Sequence, residues 1–573
     1  MSILSLYRNI FCLTSQKKFK QETHGLMVRI FCVNSGETKS FQSGITLREA
    51  CKEFNLNMPY ECVAAHVNNE VEGLNFRVYN HKDVEFLDIT SDDGMRVYIR
   101  SLTFVMMKAL NDLFPGRVVR LENPISKGYY CRMDEEITEE QVVQVRECMK
   151  DIIAEDIPFH RVDCHTTEAI EVFERLGRID RVRLLKTYKY LYTSYYKLGD
   201  YIDHYYEGLL PSTGYIKLFE IEKFAEGVLL RVPDQDCPTT LEDMVPQEKL
   251  QERFEERLQW HKIMGIETIG DFNIAMNMGH EVDFVNIAEA LQEKRFSSMA
   301  DQIKERGARV VLIAGPSSSG KTTSSKRLSV HLLACGLKPY AISLDDFFVD
   351  REVTPRKPDG DYDFESIHSI DLPYFNESLT RILAGEEVEL PYYNFVTGKR
   401  EYNGKKIKLS PGMVLVIEGT HGLNPMLTRQ VPEKDKFRIY VSALTSMKLD
   451  YHNYISTSDT RLLRRMVRDA KYRGWPAIET ISRWPSVREG EEEWIFPYQE
   501  NADVMFNSSL FYELAAFKSQ AEPMLRAVPQ SCKEYAVARR LLRFLDYIVP
   551  LREEILPPTS VLREFLGGST FTY

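Results

Sequence analysis

Eight consecutive residues, Gly315-Pro316-Ser317-Ser318-Ser319-Gly320-Lys321-Thr322, place two glycines, a lysine and a threonine at the spacing of a phosphate-binding loop. The glycines let the backbone wrap phosphate oxygens, while loop amides and a helix N-terminus supply positive potential. In such a loop Lys321 reaches the β- and γ-phosphates and Thr322 offers its hydroxyl to Mg²⁺. Gly315, Ser317, Ser318, Ser319, Gly320, Lys321, Thr322 and Thr323 are therefore the expected nucleotide contacts. Two acidic positions stand where this chemistry would use them. Asp345-Asp346 closes the apolar run 339–344, and Glu418-Gly419 closes the run 413–417. Carboxylates at the carboxyl ends of buried strands can face a metal ion and an attacking hydroxyl, so Thr322, Asp345 and Glu418 form the expected metal-binding set. Farther on, Arg461, Arg465 and Arg468 recur at helical spacing in a basic stretch that runs to Arg473-Gly474. That spacing can present guanidinium groups to one polyphosphate from a closing lid.

The elements that must position these residues are legible nearby. Val310-Val311-Leu312-Ile313-Ala314 reads as a buried strand before the loop, and Thr323 to Leu333 as the helix after it. Further strands at 339–344, 413–417 and 437–441 complete the alternation of an α/β fold with a parallel sheet. Residues 266–308 repeat apolar residues at helical intervals and end at Gly307, a connector in this reading. Within it His280-Glu281 is not the start of a zinc helix, because Phe284 stands at the second histidine position.

At 573 residues the chain is too long for one ordinary core. Its 43% hydrophobic and 27% charged content is that of a globular protein, and its net charge of −11 weighs against a broad nucleic-acid surface. Ten scattered cysteines with no CxxC pair fit reduced thiols in the cytoplasm. No run approaches the roughly 18 apolar residues of a membrane span. Residues 1–26 carry Arg8, Lys17, Lys18 and Lys20 before their first acid, Glu22, and are read as an extension before the fold begins at Met27.

From there, Val28–Val33, a turn at 34–37, and Lys39–Phe41 read as strand, turn and strand. Thr46 then caps a helix to Phe54, with short strands at 63–67, 77–79 and 84–87. This module, residues 27–92, resembles the TGS domain of threonyl-tRNA synthetases. The likeness continues over 93–265 into their second additional, editing-type domain. That resemblance implies an HxxxH helix and a later Cys and His, but here Ser101 and Val105 stand at the histidine positions and Tyr205 and Leu209 at the later pair. These side chains cannot rebuild a nitrogen/sulfur zinc site, so this half is expected to lack editing chemistry. His160, Asp163, Cys164 and His165 lack metal-ligand spacing. The tyrosines from Tyr188 to Tyr206 are read as packing.

Residues 309–573 resemble the uridine kinase and phosphoribulokinase family. The features that match, in order, are the loop 315–322, Asp345-Asp346-Phe347-Phe348, Tyr362-Asp363-Phe364, Pro391 to Phe395, Glu418-Gly419 and the basic stretch 460–469. The resemblance implies ATP, Mg²⁺ and a nucleoside 5′-hydroxyl as acceptor. It also implies Asp345 as general base and Asp363 as the ribose-binding acid. Tyr393 and Phe395 would lie in the base pocket, Glu418 would be the metal-associated acid, and Arg465, Arg468 and Arg473 the lid and substrate arginines. Two departures bear on selectivity: Gly398 follows the segment where the family carries a base-contacting histidine, and Trp475 replaces a lid arginine. The expected activity is a cytoplasmic uridine/cytidine-like nucleoside kinase acting on a small molecule, with catalysis by Lys321, Asp345, Arg465 and Arg468. Another alcohol or sugar-phosphate acceptor, and an ATP-switched RNA-binding regulator, are the alternatives. The paired halves could also serve homo-oligomerisation or effector sensing.

Overall fold

The computed structural model describes residues 26–358, 360–445 and 447–572, so the extension read at 1–26 lies outside the described residues except for Leu26. The chain folds as two compact units. The first takes in the chain as far as Val245 together with Tyr451–Asn453 and Val528–Arg543, and the second takes in Pro246–Asp450, Tyr454–Ala527 and the chain from Phe544 onward.

In the first unit, alternation along Met27–Cys32 sends Val28, Ile30 and Cys32 inward and the residues between them to solvent. This strand runs antiparallel to Glu37–Gln42 and parallel to Lys82–Leu87, within a five-stranded sheet completed by Ala64–Val67 and Glu70–Gly73. The helix Leu47–Phe54 covers it. Thr46 accepts from the Glu49 N–H at 3.2 Å while the Glu49 carboxylate takes the Thr46 N–H at 2.9 Å, a reciprocal cap that uses two donors otherwise left over at the helix start. Leu47, Ala50 and Phe54 pack from this helix onto Ile30, Val84 and Phe86 of the sheet.

The remainder of the first unit is built on the long helix Asp92–Leu113. Ser101 and Val105 are fully buried on it. The Ser101 hydroxyl donates to the Val97 carbonyl at 2.8 Å and accepts the Leu210 N–H at 2.8 Å. Tyr205 is buried against Phe104, with ring centres 5.1 Å apart. The four positions where the synthetase resemblance would call for zinc ligands are thus occupied by packed side chains. His160–His165 form one strand paired antiparallel with Tyr192–Leu198. Its side chains alternate faces, and no group of three or more metal-ligating residues forms among the described residues. Tyr195, Tyr196, Tyr201 and Tyr205 are core residues, whereas Tyr190 and Tyr192 are exposed.

The second unit is an α/β structure. Five strands lie parallel in the order Lys338–Ser343, Met413–Glu418, Val310–Ala314, Lys436–Ser442, Val504–Asn507. The central strand is buried along its whole length, as expected of a parallel sheet covered on both faces. Residues 266–308 are more than a connector. They form the helices Ile269–Asn277 and Glu281–Arg306, and Phe296, Met299, Ala300 and Ile303 of the second share a core with Val311, Ile313 and Leu328. The helical periodicity was legible, but its apolar face is a wall of the sheet's own core. Among the described residues no helix is long and apolar enough to cross a membrane.

Candidate active site

The site lies at the carboxyl end of the parallel sheet. The loop 315–320 joins the central strand to the helix Lys321–Ala334. Lys321 Nζ donates to the Pro316 carbonyl at 3.0 Å, and burial lowers its pKa against the opposing pull of Glu418, Asp345, Glu564 and Glu491. The first helical turn brings Thr322 to the neighbouring strand, where its hydroxyl donates to Glu418 Oε1 at 3.3 Å. Glu418 is pushed up to about 7 by burial, with a further push from Asp345. A carboxylate kept from ionising freely by burial, and then by a neighbouring acid, is one that a cation would relieve.

Asp345 begins the turn after Lys338–Ser343. Its side chain opens to the cleft, but desolvation by the surrounding protein raises its pKa, with Lys321, Arg473 and Arg468 pulling the other way. Asp345 thus shares a field with the loop lysine and two arginines of the basic helix. Next to it, Asp346 Oδ1 takes the Tyr393 N–H at 3.5 Å and so ties the hairpin Glu387–Asn394/Lys399–Lys408 to the acidic strand end. Tyr393 is buried, meeting Phe348 and Phe395 edge to face at 5.5 and 5.1 Å, and Phe395 is exposed. Of the two aromatic residues expected in a base pocket, only Phe395 presents an open ring, and Tyr393 supports it.

The acid that joins this cluster from the 362–365 stretch is Glu365. Its carboxyl is raised to about 7 by burial, then acted on by Arg465, Glu491, Lys321 and Asp345. It reaches that position because residue 490 is glycine: a Cβ there would lie 2.3 Å from the Glu365 Cβ. Asp363, the expected sugar-binding acid, has its N–H on the Pro355 carbonyl at 2.8 Å and is not among the main charges acting on Lys321, Asp345, Glu418 or Arg465. His421 was also missed. It is buried, burial lowers its pKa to about 4, and its Nδ1 has no hydrogen-bond partner.

The basic stretch folds as the helix Thr457–Arg473, capped by Ser456 and ended by Gly474 in the left-handed conformation. Its arginines divide by role. Arg465 Nη1 donates to the Ser317 hydroxyl at 2.8 Å, so this guanidinium touches the loop. Arg468 donates to Asp469 at 3.0 and 3.1 Å, and Arg465 and Arg473 lie 3.4 Å from the same buried carboxylate. One aspartate therefore holds three guanidinium groups at the edge of the cleft. Arg461 does not face a polyphosphate. It is buried, its Nη2 donates to Glu491 Oε2 at 2.7 Å, and its Nη1 to the Ser317 carbonyl at 3.0 Å. Helical spacing placed it in line with Arg465 and Arg468, but Glu491 on the neighbouring helix Ala477–Trp494 claims it. Trp475 stacks between Arg473 and Arg483, its ring centre 5.2 and 4.5 Å from their guanidinium carbons.

Residues 310–510 match the model of the Phosphoribulokinase / Uridine kinase family. The C-terminal region belongs to this family. The N-terminal region matches threonine–tRNA ligases. That of Desulforamulus reducens is 29% identical over 202 residues, 35% of this chain and 32% of the ligase. That of Carboxydothermus hydrogenoformans is 27% identical over 194 residues, 33% of this chain and 31% of the ligase. The chain spans about a third of the length of these curated relatives. Among solved structures, D-glycerate 3-kinase from Cryptococcus neoformans is 15% identical, with 46% of this chain and 89% of that chain covered at a TM-score of 0.20. The uridine kinase/phosphoribulokinase-family region therefore carries the P-loop cluster, and the synthetase-like region carries the packed helix Asp92–Leu113.

Proposed function

We propose that the protein is a cytoplasmic ATP-dependent kinase that transfers the γ-phosphoryl group to the 5′-hydroxyl of a uridine- or cytidine-like nucleoside. One observation carries this reading: Lys321, Asp345 and Glu418 act on one another at the carboxyl end of the sheet, where Thr322 donates to Glu418 at 3.3 Å and Arg465 to the loop hydroxyl of Ser317 at 2.8 Å. Asp345 orients the acceptor hydroxyl and takes its proton as the oxygen attacks the γ-phosphorus, while the bond from that phosphorus to the bridging oxygen of the departing ADP breaks. Lys321 neutralises the β- and γ-phosphates, and Arg465 and Arg468 meet the charge on the transferring group. The hydroxyl of Thr322 and the carboxylates of Glu418 and Asp345 are hard oxygen donors that fit Mg²⁺, which supplies charge neutralisation at the phosphates when bound. Glu365 holds the sugar hydroxyls and Phe395 stacks on the base, with Asp363 and Tyr393 supporting them and Arg473 on the acceptor side.

A phosphorylated sugar is the second reading. It is favoured by the exposure of Arg473 and by Gly398 at the position where a base-contacting histidine would stand. The deciding experiment is ATP- and Mg²⁺-dependent phosphorylation across uridine, cytidine, purine nucleosides, thymidine, ribulose 5-phosphate and pantothenate. Selective formation of a pyrimidine nucleoside 5′-monophosphate is expected. Transfer only to a phosphorylated sugar or another alcohol replaces the acceptor assignment, and no transfer despite ATP binding removes the kinase reading.

A further inference from the structure

The loop already carries an anion of its own. The first amides of the helix Lys321–Ala334 have no intrahelical partner and, in a phosphate-binding loop, are donors offered to phosphate oxygens. One is taken. The Thr323 N–H donates to Glu564 Oε2 at 3.1 Å, and the Thr323 hydroxyl donates to the same oxygen at 2.7 Å. Glu564 lies 241 residues farther along the chain, in the short helix Arg563–Leu566. Its neighbours also pack on the loop and the basic helix. A Cβ on Gly320 would stand 2.6 Å from Val561 Cγ2, Lys471 Nζ donates to the Leu566 carbonyl at 2.6 Å, and the Arg464 guanidinium lies 5.3 Å from the Phe565 ring centre.

Glu564 differs from the other carboxylate on the loop. Glu491 takes the Ser317 N–H at 2.9 Å, and Arg461 and Arg488 hold it below the usual carboxylate range despite its burial. Glu564 has no ion pair among the described residues; Thr323 is what it grips. Around it other loop donors await an acceptor. The hydroxyls of Ser318 and Ser319 are buried with no hydrogen-bond partner, and Lys321 is turned back on the Pro316 carbonyl. The loop is thus arranged for an anion larger than one carboxylate.

We propose, on the reading that this loop binds a nucleoside triphosphate, that Glu564 is a nucleotide-site residue competing with a nucleotide phosphate for the Thr323 amide and hydroxyl. Two anions cannot share one amide at hydrogen-bond distance, so phosphate entry displaces the carboxylate. The C-terminal segment 557–572 then sets the affinity of the site and loosens when nucleotide binds.

Calorimetric titration of MgATP into the full chain tests this, comparing the wild type with Glu564→Gln, which keeps the shape and removes the charge, and with Glu564→Ala. Both variants should bind MgATP about tenfold more tightly or better, as expected when a charge-assisted competitor is removed. Equal or weaker binding by variants with native near-ultraviolet circular dichroism overturns the proposal. Hydrogen exchange of the unaltered protein needs no substitution: MgATP should speed exchange in 557–572, and unchanged or slower exchange there overturns the proposal as well. MgATP binding by neither wild type nor variant removes the nucleotide reading together with this one, whereas equal binding by both removes this one alone.

Discussion

The helices Asp92–Leu113 and Thr457–Arg473 both start from a serine cap and both bury most of one face, yet they bury opposite things. The first buries Leu102, Phe104, Val105 and Met106, and its buried hydroxyls close on its own backbone, Ser101 on Val97 and Thr103 on Ile99. The second buries Arg461 and Arg464 and gathers Arg465, Arg468 and Arg473 around one carboxylate. Apolar burial with satisfied hydroxyls is what packing requires. Buried charge is expensive unless paired, and this helix pairs all of it: Arg461 with Glu491, Arg464 with Glu513, and Arg465, Arg468 and Arg473 with the one carboxylate of Asp469. At equal burial, residue chemistry separates the two helices.

The contrast breaks most simply at the reactive end. If the proposed kinase reading holds, Lys321→Ala should lower kcat/KM for phosphoryl transfer by about 10³-fold or more, the lysine being the group that would meet the charge of the transferring phosphoryl. Asp345→Asn should lower kcat by about 10²- to 10⁴-fold and leave ATP affinity nearly unchanged, since a general base acts in the transition state. Steady-state kinetics with the acceptor that the phosphorylation screen selects, alongside ATP titration, checks both. Near-normal turnover in Asp345→Asn would assign the base elsewhere.

Within the basic helix the same contrast sharpens between Arg461 and Arg468. Arg461→Ala leaves the buried Glu491 with Arg488 and the Ser317 N–H as its remaining partners and should destabilise the protein by about 1.5–3 kcal/mol, the loss of a charged hydrogen bond. Arg468→Ala, at the cleft edge, should change stability by less than about 1 kcal/mol and lower kcat instead. Urea unfolding of the two variants separates them, and equal destabilisation would show that the helix has no division of roles.

How much of this was readable from the chain depends on whether a role is local. The loop 315–322 and the acids ending 339–344 and 413–417 declare themselves because the chemistry demands fixed spacing along one strand and its turn. Glu365 does not, since its place depends on glycine at 490, more than a hundred residues away, and the family resemblance pointed to Asp363 alone. Helical spacing correctly aligned Arg461, Arg465 and Arg468 and could not reveal that Glu491 on another helix claims the first. Glu564 was the least legible, an ordinary acid in a short C-terminal turn until the fold sets it on Thr323.

The synthetase-like half offers a milder test. Val105→His restores a histidine where the resemblance would have one, but into a fully buried site. It should lose about 1–3 kcal/mol of stability from overpacking and an unpaired polar ring, with no zinc bound in calorimetry. Zinc uptake with raised stability would show that the old ligand geometry survives.

A pH dependence is expected in the first unit. His66 hydrogen-bonds Asp93 and Glu85, both at 3.0 Å. Burial alone would lower its pKa, but these carboxylates outweigh it and raise the imidazole to about 9. Arg96 and Arg540 also act on Asp93, and Lys533 acts on Glu85. A histidine whose folded pKa exceeds its unfolded one stabilises fully while both states are protonated, below about pH 6.5, and loses that contribution as pH rises toward 9. The loss should be on the order of 2 kcal/mol, read by urea unfolding between pH 6 and 9.5. His66→Gln should flatten the curve across this interval; an unchanged slope would place the titrating group elsewhere and leave His66 as a neutral packing residue like those of the helix that follows it.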